Sequence, residues 1–234
     1  MIKIFGNILF YPGCIIKLIL KDFEKKYEKI LKKYGIDFIK LSELEFCCGS
    51  PALNAGYFEV FKSIVDKNMK IFKEHSIKKI ITPCPACFKT FKIEYPKFTK
   101  FNIEVEHITQ TIWKKIKDDK SKKEIGRKTK VTYHDPCHLG RYCKVYDEPR
   151  KIIESLGYKL SEMKFSHQNS FCCGGGGGVA ANFPLLAEEI AKERISQALK
   201  TGAKILITSC PLCYIQLEKA SKRKIKVMDI SSLF

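Results

Sequence analysis

Apolar residues at Ile16, Ile19, Leu20, Phe23, Tyr27, Ile30, Leu31 and Tyr34 recur three, four and seven positions apart, with lysines and acids between them, and Gly35 follows the last. At 3.6 residues per turn these positions share one face, so the stretch is predicted to be an amphipathic helix. Gly35 supplies the left-handed turn that ends it. The apolar run Ile8 to Tyr11, stopped by Pro12 and Gly13, has the length of a strand. Further along come a predicted short strand from Asp37 to Leu41, a Cys47-Cys48-Gly49 turn, a helix around Phe58 to Glu74, and a strand from Lys79 to Thr82 that runs into Pro83 and Cys84.

The same order then repeats. Val131 to Tyr133 has strand character, Pro149 to Leu156 that of a helix closed by Gly157, and Lys159 to Met163 that of a strand. Cys172-Cys173 follows, then a helix from about Pro184 to Lys200 and a strand from Ala203 to Thr208 before Cys210. Between the halves, Lys114 to Lys130 is mostly basic and carries little that is apolar, as expected of an exposed connector. Strands alternating with helices imply α/β architecture with parallel sheets and right-handed crossovers. The expectation is two similar three-layer lobes related by internal duplication, residues 1–125 and 126–234.

The cysteines follow the same duplication. Ten of the eleven form two sets of one pattern: Cys14, Cys47, Cys48, Cys84, Cys87, and Cys137, Cys172, Cys173, Cys210, Cys213. Matching members stand 123 (Cys14 and Cys137), 125 (Cys47 and Cys172) and 126 (Cys84 and Cys210) residues apart. Each cysteine comes just after a predicted strand. In a parallel sheet those loops share the carboxyl edge, so residues far apart in the chain should converge there. Stability alone does not call for an adjacent cysteine pair twice, which makes the pattern a metal or redox signature.

Composition narrows the class. At 234 residues, with 45% hydrophobic and 29% charged residues, the chain can build a core without disulfides. No apolar run approaches the roughly 20 residues of a membrane span. Met1 to Cys14 is too short and too broken to be a lipoprotein signal. An odd cysteine total argues against a complete disulfide framework, and clustered thiols suit the reducing cytoplasm. The net charge of +18 suits a lysine-rich solvated surface, or steering toward an acidic redox partner or anionic substrate. No aromatic-basic interleaving or zinc-finger spacing accompanies it, so nucleic acid is not an expected partner.

Two CxxC pairs would suffice for tetrahedral zinc, but each set offers one CxxC, one lone cysteine and one adjacent pair. Five thiolates around one centre suit a multi-iron cluster better. The segments Pro83-Cys84-Pro85-Ala86-Cys87 and Ser209-Cys210-Pro211-Leu212-Cys213 place each CxxC at a helix start, where the dipole favours thiolate. A thioredoxin-like CxxC would leave the other repeated cysteines unexplained. Gly174 to Gly178, five glycines in a row, would let backbone approach a cluster or leave room for substrate, or simply form a flexible turn; Gly175 and Gly176 are the candidates to influence the site. His134, Asp135, His138 and Arg141 surround Cys137 and are candidates to bond to a centre or supply protons, against local capping and surface pairing. His75 and His107 lack such company and are expected to be structural or exposed. Cys143 has no counterpart and is expected to be a small buried residue. No residue is singled out as catalytic.

Taken together, Tyr11-Pro12-Gly13-Cys14, Phe46-Cys47-Cys48-Gly49-Ser50-Pro51, Pro83 to Cys87, His134-Asp135-Pro136-Cys137-His138-Leu139-Gly140-Arg141, Phe171-Cys172-Cys173-Gly174-Gly175 and Cys210-Pro211-Leu212-Cys213 resemble the cysteine-rich CCG-domain family. Its members include the B subunit of heterodisulfide reductase and the C-terminal part of its D subunit, with iron–sulfur subunits of glycolate and lactate oxidation systems as relatives. The resemblance implies that each set of five holds a non-cubane 4Fe-4S cluster, with zinc possible at one repeat. It also implies an oxidoreductase subunit that passes electrons to a disulfide of the CoM-S-S-CoB kind. The ferredoxin run CxxCxxCxxxCP does not occur in these 234 residues. An electron-donating partner subunit with conventional iron–sulfur clusters is therefore expected, and the architecture is closer to the B than to the D type. The alternatives are the electron-transfer subunit of a lactate or glycolate oxidation complex, and a metal-stabilised interaction module without turnover.

Overall fold

A computed structural model describes residues 6–44, 46–119, 125, 126 and 128–234. Two parallel sheets form the frame. The first joins β1 (Asn7–Phe10), β2 (Ile77–Thr82) and β3 (Glu104–His107) in that order; the second runs β5-β4-β6-β7, with β4 at Lys130–His134, β5 at Lys159–Leu160, β6 at Ile205–Thr208 and β7 at Lys226–Asp229. An isolated bridge pairs Leu9 with Ile39. It sits where β5 sits in the second lobe, so the lobes share one strand order.

Alternation along the strands decides what each sheet buries, because successive side chains point to opposite faces. Leu9 and Ile80 face one apolar cluster, with Phe61, Val65 and Phe72 of α4 (Phe58–Glu74). Leu206 and Val227 face another, with Ala191, Ile195 and Ala198 of α10 (Pro184–Lys200). Phe10 and Ile81 turn the other way, as do Tyr133 and Ile207, and all four join one inner core. That core takes Tyr27 and Leu31 from α2 (Lys21–Lys33), Ile112 and Ile116 from α7 (Ile108–Ile116), and Ile152 and Ile153 from α8 (Asp147–Ser155). The two three-layer lobes therefore share their inner helical layer.

Several predicted elements differ in extent. The helix expected from Ile16 to Tyr34 is two helices, α1 (Cys14–Leu18) and α2, because Leu20 leaves the helical region (φ −110°, ψ 48°). The strand expected at Asp37 to Leu41 contributes only the Ile39 bridge, and that at Lys159 to Met163 pairs at two residues. β3 and β7, Glu-Val-Glu-His and Lys-Val-Met-Asp, have no apolar run to reveal them; parallel pairing with β2 and β6 makes them strands. The connector is less open than its composition implies. It begins inside α7, where Ile116 is 1% exposed, and ends in β4; residues 120–124 and 127 lie outside the described residues.

Candidate thiol cavity between the lobes

Four strand ends hand the chain to a cysteine: β1 to Cys14, β2 to Cys84, β4 to Cys137 and β6 to Cys210. After β1, Gly13 takes φ 79°, and a Cβ there would lie 3.0 Å from the Cys87 sulfur and 3.4 Å from Cys84 Cβ. Bare backbone thus lets the start of α1, with Cys14, lie against the CxxC segment. Cys84 and Cys210 occupy the N-cap positions of α5 (Pro85–Lys89) and α11 (Pro211–Ser221), with proline in the first turn of each. Proline suits that position because its missing N–H would have no helical partner there. The adjacent pairs lie in turns whose backbone donates to sulfur: Gly49 N–H to Cys47 Sγ at 3.4 Å, Gly174 N–H to Cys172 Sγ at 3.3 Å, Gly175 N–H to Cys173 Sγ at 3.4 Å.

Both sets divide alike. Cys48, Cys84 and Cys87 are buried, as are Cys173, Cys210 and Cys213; Cys14, Cys47, Cys137 and Cys172 reach toward solvent. Thiol contacts run from Cys47 to Cys48, to Cys87, to Cys84, and in parallel from Cys172 to Cys173, to Cys213, to Cys210. Donation by its neighbours lowers the pKa of Cys47 and of Cys173, while Cys14 and Cys172, which donate, are raised. Cys213 is raised well above an ordinary thiol by its bonds to Cys173 and Cys210 and by burial. Cys14 touches Cys47, whereas Cys137 instead has the His138 Nδ1 at 3.4 Å.

One cavity of about 390 Å³ is lined by all five cysteines of the first set and by Cys137, Cys173, Cys210 and Cys213 of the second. His138 and Gly175 to Gly178 also line it, and among the described residues no carboxylate, lysine or arginine does. A Cβ on Gly176 would meet nothing within 4 Å, and one on Gly175 would lie 3.6 Å from Cys173 Sγ.

The other candidates separate. His134 is 1% exposed, and its ring lies with the Cys173 and Cys213 sulfurs, the ligand atoms all within 4.8 Å of one another. Asp135 points elsewhere. Its oxygens accept from Arg150 at 2.7 and 2.9 Å and from the His167 N–H at 2.8 Å, so it braces a loop rather than facing sulfur or capping a helix. Arg141 donates to the Ser170 carbonyl at 2.7 Å. His107 is fully buried, caps α7 through the Thr109 N–H, and is kept neutral by burial, its pKa pushed down to about 3. Cys143 packs half-buried against Phe88, Leu139 and Val145, away from the cavity, and burial raises it to about 11.

Arg194 and Asn68 belong to no motif in the sequence. Both are buried on inner faces of long helices; Arg194 donates to His134 Nδ1 at 3.0 Å and Asn68 to the Cys47 carbonyl at 3.0 Å. The available signal was a charged residue inside the stripe Ala187, Ala191, Ile195, Ala198.

A duplicated parallel α/β frame that gathers soft sulfur donors from distant loops defines a cysteine-rich metal-binding class of domain. The chain belongs to the CCG cysteine-rich domain family, whose pattern matches residues 8–92 and 131–218. It is 36% identical over 237 residues to the D subunit of the dihydromethanophenazine:CoB–CoM heterodisulfide reductase of Methanosarcina barkeri, covering 97% of this chain and 58% of that one. The corresponding protein of Methanosarcina acetivorans is 35% identical over 234 residues, covering 96% and 57%. The B subunit of the fumarate reductase (CoM/CoB) of Methanothermobacter marburgensis is 33% identical over 233 residues, covering 97% and 46%. The chain thus spans about half the length of these curated relatives. Among the described residues no helix is long and apolar enough to cross a membrane.

Proposed function

We propose that this chain is an iron–sulfur oxidoreductase subunit of the heterodisulfide-reductase type. Cys14, Cys47, Cys48, Cys84 and Cys87 would hold one non-cubane 4Fe-4S cluster, and Cys137, Cys172, Cys173, Cys210 and Cys213 the other. The observation that carries this is the single cavity onto which nine of these ten thiols open. The donor set fits: each set is all sulfur, three buried and two reaching toward solvent, and no carboxylate among the described residues lines the space. Bound there, the clusters would supply electrons one at a time to a small disulfide of the CoM-S-S-CoB kind.

The chain's own residues do the rest. Burial keeps water from the three inner sulfurs of each set, and the glycine run leaves space beside Cys173. His138 lines the same cavity and stacks on Tyr142, and it would hand a proton to a departing thiolate. Electrons would come from a partner subunit with conventional iron–sulfur clusters, in keeping with relatives named as subunits. Free, clustered thiols suit a cytoplasmic setting.

Anaerobic iron, sulfide and zinc content per chain tests the centre. Iron and sulfide at both repeats is expected; zinc at one repeat would reassign that set, and zinc at both would leave an interaction module. The reconstituted complex should then reduce CoM-S-S-CoB. Activity with lactate or glycolate instead would favour the second reading, a subunit that only conducts electrons. Gly176→Leu should load iron normally yet lose turnover, since its side chain would project into the cavity.

A further inference from the structure

We propose that Arg194, acting through His134, presents an Nε2–H donor to the Cys173 sulfur and so poises the second centre at a higher reduction potential than the first. The inference rests on the cluster assignment above. Arg194 is fully buried, yet among the described residues it makes no ion pair. Its guanidinium donates to His134 Nδ1 at 3.0 Å, the Phe165 carbonyl at 2.8 Å, Gln197 Oε1 at 2.9 Å and Ser170 Oγ at 3.0 Å, all neutral acceptors. A buried cation needs compensating negative charge. The Asp135 and Glu162 carboxylates supply part of it from a distance, and the sulfurs of Cys213 and Cys173 beyond the imidazole supply the rest.

The chemistry of the contact sets the tautomer. A guanidinium only donates, so the Nδ1 lone pair is taken and the neutral ring carries its proton on Nε2. Nε2 is buried and has no hydrogen-bond partner among the described residues, sulfur included, so its proton is uncommitted, and Cys173 is the thiol that acts most strongly on the ring. It is the nitrogen left to face Cys173 and Cys213, whose sulfurs lie with the ring's ligand atom within 4.8 Å. A nitrogen that holds a proton has no lone pair for a metal. His134 is therefore a donor to sulfur and not a third ligand beside Cys173 and Cys213.

Among the described residues the first lobe lacks this device. The helices α4 and α10 are both 17 residues long and stand 126 residues apart, which places Asn68 opposite Arg194. Asn68 is neutral and donates to the Cys47 carbonyl and to Tyr95 Oη. At the counterpart of His134, 123 residues earlier, Tyr11 donates its hydroxyl to the Phe46 carbonyl at 2.5 Å. Reduction adds negative charge to a centre, and a donor hydrogen bond backed by a buried cation stabilises that charge, which raises the potential.

The test is a redox titration of the anaerobically prepared, iron-loaded full chain, followed by electron paramagnetic resonance. Two separate steps are expected. Arg194→Met should move the more positive step down by a tenfold change in the oxidised-to-reduced ratio at fixed potential, about 59 mV for one electron, and leave the other in place. His134→Phe should do the same, the double variant should add nothing, and Arg194→Lys should restore most of the shift. Coincident steps in the wild type, or loaded variants with both potentials unchanged or shifted equally, overturn the inference. Should Arg194→Met fail to load iron, a His138→Phe chain with 15N-labelled histidine decides, because His138 lies 3.4 Å from the Cys137 sulfur: nitrogen coupling is expected at the more positive centre only, and its absence is fatal to the idea. A wild type without iron or sulfide overturns the cluster assignment itself, a different result from loaded variants that do not respond.

Discussion

Single residues bear on two separate properties, the metal holding proposed above and local stability. The trio in each set is buried, so on the proposed assignment Cys48→Ser or Cys173→Ser should strip iron from one repeat and leave roughly half the total, read by iron content per chain. Arg150 is different: both of its ion-pair contacts are carboxylates, Asp135 and Glu162, and the Asp135 side chain is 2% exposed. Burial pushes the Asp135 carboxyl up, but Arg150 outweighs it and holds the pKa below its ordinary value of 3.8. A depressed folded pKa means that the pair contributes stability above pH 3.8 and loses it as pH falls through the lower folded value. Arg150→Met leaves a buried carboxylate unpaired and should cost about 3–5 kcal/mol near neutral pH, measured by denaturant unfolding. The penalty should shrink in acid, where Asp135 is protonated.

At the scale of elements, the loops after the strands carry the conformational demands. Gly49 and Gly174 follow the cysteine pairs at φ 87° and 80°; a Cβ on Gly49 would lie 2.6 Å from the Phe61 ring, and one on Gly174 2.5 Å from the Ala187 carbonyl. Both the left-handed backbone and the contact oppose a side chain. Gly49→Ala and Gly174→Ala should each destabilise by about 1–3 kcal/mol, and Gly176→Ala, with open space around it, should be near neutral by thermal melting. The π turn at Thr90–Glu94 has a local cause as well: it precedes Pro96, which brings no N–H to the helical ladder.

Over the whole molecule, the halves are duplicated in sequence but joined in packing. The inner core draws Phe10, Tyr27 and Ile112 from one half and Tyr133, Ile152 and Leu233 from the other. With the division placed between residues 125 and 126, neither half buries its inner face alone. Calorimetry of the chain should therefore show one cooperative transition; two resolved transitions would contradict the shared core. Metal loading should also depend on pH. Cys14, Cys48, Cys87, Cys172 and Cys213 are raised by donation to neighbouring thiols and by burial, so they hold protons at neutral pH. A metal must displace those protons, so apparent affinity should rise from about pH 6 to about pH 8, by competition titration with a chelator.

The amino-acid sequence by itself determined the duplication, the α/β class and the ten cysteines, because those signals are periodic or repeat at fixed offsets. It placed the long helices α4 and α10 closely, whereas the equally periodic stripe from Ile16 to Tyr34 is broken at Leu20. Short strands such as Glu104–His107 and Lys226–Asp229 were not visible, because their partners, not their own side chains, make them strands. Only the tertiary structure decided that both cysteine sets open onto one cavity, that Asp135 turns away to Arg150, and that Arg194 backs His134. Those facts depend on distances between residues tens of positions apart, which packing sets and local sequence does not encode.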